Sequence, residues 1–195
     1  MFKKIIASLL CALALQGCMA FIAGAAIGGV VVFEGRNWRQ QNIDNRITVE
    51  AEKKLNADEE LHNSSRIIVS SYNGDLLLAG QAPTPLLKQR AEEDLRYVPG
   101  VKRVYNEISI GGPISTLTES SDAWVTTKIK TEMLANANLR SSSIKVITEN
   151  GTVFLMGMVT KTQGSIAADI ARESSGVQRV VTLFSYKSDG TKVVH

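Results

Sequence analysis

Thiols are nearly absent from this chain. Its 195 residues include two cysteines, Cys11 and Cys18, both near the N-terminal end. Everything after Cys18 must hold together by burial, with no disulfide and no thiol for metal binding or redox chemistry. Histidine is as scarce. His62 is expected in the loop after a first helix and His195 is the last residue, so no Cys/His cluster offers metal spacing. No glycine-rich loop carries a P-loop lysine. Serines are plentiful at 141–143 and 174–175, yet none stands in a recognisable frame with a base. Glu92-Glu93-Asp94 reads as a solvated helical face near the N-terminal half of its helix, not as a carboxylate site. The residues suggest no catalytic group, no metal, no cofactor and no small-molecule substrate.

What the N-terminal end does contain is ordered. Lys3 and Lys4 form a short positive region, and residues 5–15 form an apolar segment of signal-peptide length. Leu15-Gln16-Gly17-Cys18 then resembles a bacterial lipobox, where a peptidase cuts before a diacylated cysteine. Gln16 stands where a small residue is usual. The residues alone also admit an ordinary secretory signal or an uncleaved anchor. On the lipobox reading, residues 1–17 are a signal peptide and Cys18 is the lipidated mature N-terminus. In double-membrane bacteria, Asp after that cysteine tends to retain a lipoprotein in the inner membrane. Here Met19 follows, which implies the outer membrane.

Cleavage also removes an apparent basicity. Lys plus Arg falls from 22 to 20 against 19 acidic residues, so the formal charge drops from +3 to +1. No global basic field remains of the kind nucleic-acid binding needs. The apolar run after Cys18, residues 19–33, is 15 residues long, short of the ~20 that span a bilayer. It reads as a flexible tether; Gly24 and Gly28 also make a GxxxG spacing. Residues 34–41 read as a polar linker. Trp38, between Arg36 and Arg39, fits a headgroup surface or a cap on the first domain.

The remainder is a repeat. Asn73-Gly74 and Asn150-Gly151, each flanked by apolar residues, are strong hairpin signals 77 residues apart. Ile67, Val69 and Gly80 match Ile144, Val146 and Gly157 at the same offset. Upstream, Asp44, Ile47, Ala51 and Leu55 match Asp122, Val125, Ile129 and Met133 at 78. Downstream, Gly100, Val101 and Val104 match Gly176, Val177 and Val180 at 76. The offset shifts only in connecting segments, where insertions are tolerated. Two copies this long argue for tandem domains.

Each copy predicts αββαβ. Asp44 and Asp122 look like N-cap or first-turn residues of a first helix whose apolar stripe recurs every four residues. A hairpin follows, 66–72 with 75–80 and 143–149 with 152–158. A second helix spans about 85–97 and 162–174, the first opening on Pro85. A final strand covers about 102–110 and 178–186. The fold class is α+β: two tandem αββαβ domains, each with two helices on one face of a three-stranded sheet. The expected boundaries are 18–43 for lipidated cysteine and tether, 44–112 for the first domain, 113–120 for a linker, 121–188 for the second domain and 189–195 for a tail.

This order, the Asn-Gly hairpin closing on Gly80 or Gly157, and the Gly-Val-x-x-Val at 100–104 and 176–180 resemble the BON domain, a small module of bacterial envelope proteins. Lipobox, tether and two such domains resemble the dual-BON outer-membrane lipoproteins over essentially the whole chain. The resemblance implies a non-enzymatic envelope-integrity protein, lipid-anchored on the periplasmic face and placed near cell-division sites. It further implies recognition of anionic phospholipid and proximity to the outer-membrane assembly machinery.

The two copies differ in charge. Residues 44–112 carry a net −2 and residues 121–188 a net +3, so the second suits a negative membrane surface. At about 100° per residue, Val125, Ile129 and Met133 define a core stripe with Trp124 on the far side. Thr127, Lys128, Thr131 and Leu134 fall on Trp124's side. Trp straddles apolar and wet environments, and Lys suits phosphate. The expected lipid-binding set is therefore Trp124, Thr127, Lys128, Thr131 and Leu134; packing of Trp124 on the other domain or the linker is the alternative. The matching first-domain residues Arg46, Glu50 and Asn56 are polar. A second functional reading makes the Trp124–Leu134 face an adaptor surface for a protein partner.

Overall fold

The computed structural model describes residues 38–112 and 116–187, with side chains from residue 118 onward in the second stretch. The signal region, Cys18 and the tether lie outside the described residues. In chain order the elements are α1 (Trp38–Ala57), α2 (Glu59–Ser64), β1 (Arg66–Tyr72), β2 (Asp75–Ala82), α3 (Pro85–Arg96), β3 (Arg103–Ile110), α4 (Thr116–Ala135), a 3₁₀ turn (Ser141–Ser143), β4 (Ile144–Glu149), β5 (Thr152–Val159), α5 (Lys161–Glu173) and β6 (Arg179–Tyr186). The αββαβ order holds in both copies, with α2 and the 3₁₀ turn as additions. His62 lies in α2, not in a loop, and faces the Asn56 side-chain oxygen at 3.1 Å. Glu92-Glu93-Asp94 lies in the C-terminal half of α3, where Glu92 pairs with Arg96.

Each sheet has its hairpin antiparallel and its last strand parallel to the middle one, in the orders β1-β2-β3 and β4-β5-β6. A parallel neighbour cannot be reached by a tight turn, so a helix must cross over. That is the place of α3 and α5, capped by Thr84 and Thr160, whose hydroxyls accept from Leu87 N at 3.3 Å and Gln163 N at 3.2 Å. The expected stripes are buried: Ile47, Ala51 and Leu55 on α1, and Val125, Ile129 and Met133 on α4. They meet Leu76, Leu78 and Ile108 in one copy and Val153 and Leu155 in the other.

Two helices begin earlier than expected. α1 starts at Trp38, inside the stretch read as polar linker, and α4 at Thr116, inside 113–120. Asp44 and Asp122 are therefore not N-caps. Each sits mid-helix on the buried stripe, 2% and 6% exposed. The Asp44 carboxylate accepts from Asn73 N at 2.8 Å, Gly74 N at 3.0 Å and Ser71 Oγ at 3.0 Å. The Asp122 carboxylate accepts from Asn150 N at 2.6 Å and Gly151 N at 2.9 Å. Both turns have positive φ at both central residues (Asn73 53°, Gly74 85°; Asn150 48°, Gly151 68°). That is the type I′ geometry that suits strand twist. It also aims successive amides at one carboxylate, which satisfies a buried charge.

The sheet faces away from the helices cover each other. Tyr72, Leu77 and Ala79 of the first sheet share one buried cluster with Phe154, Met156 and Leu183 of the second. The result is four layers, helices–sheet–sheet–helices, with both faces of β2 and β5 buried. The apolar seam has a polar border. Tyr72 Oη donates to Ser143 O at 2.9 Å and accepts from Met158 N at 3.3 Å. Lys145 Nζ reaches Ser71 O at 3.3 Å. Arg66 of β1 pairs with the buried Glu149 of β4 and with Glu119 of α4, and Gln81 Nε2 donates to Glu149 at 3.1 Å. Partial burial alone would lower the Arg66 pKa, but Glu149 and Glu119 more than offset it and leave it raised.

Candidate functional site

The Asp122 clamp decides what α4 shows to solvent. A carboxylate tied to the Asn150-Gly151 turn fixes the rotation of the helix about its axis, and the stripe at Val125, Ile129 and Met133 follows from that phase. Two residues on from Asp122, Trp124 is swung outward and is 57% exposed. The contact between the domains runs through the two sheets and, at Glu119, through the start of α4.

Lys128 lies one turn further along the same side, and its Nζ sits 5.5 Å from the centre of the Trp124 ring, a cation–π contact. The same nitrogen donates to Ser175 Oγ at 2.8 Å and pairs with Glu132 at 3.8 Å. Glu132 in turn accepts from Ser174 Oγ at 2.6 Å. Lys128 is thus held between its own helix and the turn after α5. The hydroxyls of Thr127 and Thr131 donate back to Ala123 O and Thr127 O, each at 2.9 Å, so these two exposed residues present methyl groups outward. Leu134 is 43% exposed, about 15 Å from Trp124 along the axis. All five expected residues share one helical side. Trp124 and Lys128 are in contact; Leu134 stands apart. The face is an aromatic, a partly desolvated cation and a strip of apolar surface.

Ser175 and Glu132 were not anticipated. Ser175 is 47 residues from Lys128 and comes near only because α5 and α4 share one sheet face. The matching first-domain face carries Arg46, Glu50 and Asn56, as expected, but also exposes Val49 and Ile43. Among the described residues no group of three His, Cys, Asp or Glu side chains could hold a metal ion, and no helix is long and apolar enough to cross a membrane.

The BON domain family model matches residues 43–112 and 121–188. The chain is 37% identical over 185 residues to the outer membrane lipoprotein DolP of Haemophilus influenzae, covering 94% of this chain and 96% of that protein. It is 42% identical over 132 residues to a 21 kDa hemolysin of Actinobacillus pleuropneumoniae, covering 68% of each. Among solved structures, the C-terminal domain of CdsD, a structural protein of the Type III secretion system of Chlamydia trachomatis, overlaps 70% of this chain and 96% of its own at a TM-score of 0.31 and 10% identity. The chain belongs to the BON-domain family. Within it, the chain carries two BON domains and is similar to DolP over nearly its whole length.

Proposed function

We propose that this protein binds anionic phospholipid through the α4 face of its second BON domain and so contributes to envelope integrity. An acylated Cys18 anchors it to the periplasmic side of the outer membrane. The observation that carries the reading is Trp124: an exposed tryptophan, cation-stacked by Lys128, on a helix whose core stripe is already satisfied. Aromatic side chains of this kind sit at headgroup depth, and each nearby basic residue adds roughly 1 kcal/mol toward an anionic surface.

Three variants test it. Trp124→Glu opens no cavity, removes the interfacial aromatic and adds a charge of the wrong sign. It is expected to lower affinity for anionic vesicles roughly tenfold or more while the melting temperature stays within a few degrees. Lys128→Glu is expected to weaken binding too, more at low salt than at high. Val125→Glu places a charge on the buried stripe and is expected to unfold the domain. Thermal melts and vesicle co-sedimentation distinguish the three. Equal melting losses for Trp124→Glu and Val125→Glu would sink the reading. Failure of the wild-type chain to bind any vesicle, with retained capture of an outer-membrane protein, would instead favour an adaptor role toward a partner such as the assembly machinery.

A further inference from the structure

Lys128 is the cation best placed to meet a phosphate on the α4 face, yet its charge is already partly cancelled. Glu132 lies one turn along, 3.8 Å from Nζ, and is 42% exposed. Ser174, itself buried, shares its hydroxyl proton between the other carboxylate oxygen at 2.6 Å and Ile170 O at 3.0 Å, which holds Glu132 on the same surface as Lys128. On the opposite side of Nζ, Ser175 Oγ accepts at 2.8 Å and keeps its own proton free to donate outward from an exposed position. The face therefore presents a donor pair, Lys128 and Ser175, with an immobilised acid beside it.

From this arrangement we infer that Glu132 sets the charge threshold of the second domain: it makes the Lys128–Ser175 pair engage only a strongly anionic lipid surface. A sparse layer of phosphates must compete with Glu132 for Lys128 and also meets its negative charge. A dense layer outweighs both. The ion pair costs little to loosen in high dielectric, so the competition is reversible. The inference rests on the lipid reading above and adds to it the residue that tunes selectivity.

The full chain is assayed by co-sedimentation with phosphatidylcholine vesicles containing graded fractions of phosphatidylglycerol. Glu132→Gln keeps an acceptor for Ser174 and removes only the charge. It is expected to bind roughly fivefold more tightly, with half-saturation at a lower phosphatidylglycerol fraction. Ser174→Ala lets the carboxylate swing aside but keeps its charge, and is expected to lower the threshold only part of the way to that of Glu132→Gln. Ser175→Ala is expected to weaken binding to charged vesicles. If the wild type binds and Glu132→Gln binds no more tightly, or if Ser174→Ala moves the threshold as far as Glu132→Gln does, the inference is overturned and the lipid reading stands. If neither wild type nor Glu132→Gln binds at any charge density, both are overturned together. Binding by Glu132→Gln where the wild type stays in solution supports the threshold directly.

Discussion

Asp122→Ala is expected to destabilise the protein by about 3–4 kcal/mol, lowering the melting temperature by roughly 10 °C. The side chain accepts two short charge-assisted bonds, from Asn150 N and Gly151 N, the second of them buried. Removing it leaves two amides unpaired, at about 1–3 kcal/mol each. For an ordered unit of this size each kcal/mol shifts the midpoint by about 2–4 °C. Asp122→Asn keeps the shape but offers a weaker acceptor and a competing donor, so about half the loss is expected. Asp44→Ala should cost more than Asp122→Ala, because Asp44 also accepts from Ser71 Oγ. Circular dichroism melts measure all three. A loss below about 1 kcal/mol for Asp122→Ala would mean that the turns stand without their clamps.

The second large effect concerns the seam between the sheets. Phe154 is fully buried there, against side chains of the first domain, while its neighbours Val153 and Leu155 point to the helices. Phe154→Ala is expected to cost about 3–5 kcal/mol. Its signature differs from that of a core mutation within one domain. The wild type is expected to melt in a single transition, since neither sheet can expose its inner face without losing the other's cover. With the seam weakened, the transition should broaden or divide in two, visible by calorimetry as a calorimetric enthalpy exceeding the van't Hoff value. Val153→Ala should lower the midpoint and leave the transition single.

Much of this architecture is legible in the residues. The two Asn-Gly pairs locate the hairpins because only a turn with positive φ at both positions rewards that dipeptide. The four-residue recurrence from Ile47 and from Val125 locates the inner faces of α1 and α4. The early starts of those helices are harder to read, since residues 38–42 carry no apolar stripe. The aspartates mislead by ordinary capping rules. Yet each lies three residues before its stripe, on the same side by helical periodicity, and 28 or 29 residues before its Asn-Gly pair. Continuous apolar runs such as Leu76-Leu77-Leu78-Ala79 and Val153-Phe154-Leu155-Met156 already signal strands buried on both faces, hence a second layer. Trp124, Thr127, Lys128, Thr131 and Leu134 follow from the helical wheel alone. The Ser175 and Glu132 partners of Lys128 do not, because their meeting depends on the docking of α5 beside α4.

The aspartate clamps bear on how the protein ages. Asparagine followed by glycine is the sequence most prone to deamidation, in which the glycine nitrogen loses its proton and attacks the asparagine side-chain carbonyl. In this fold the Gly74 and Gly151 nitrogens donate those very protons to the carboxylates of Asp44 and Asp122, at 3.0 Å and 2.9 Å. The negative charge opposes deprotonation, and the hydrogen bond ties the nitrogen to the carboxylate and resists its rotation into the ring-forming geometry. The clamps thereby keep two chemically fragile turns intact for as long as the chain stays folded.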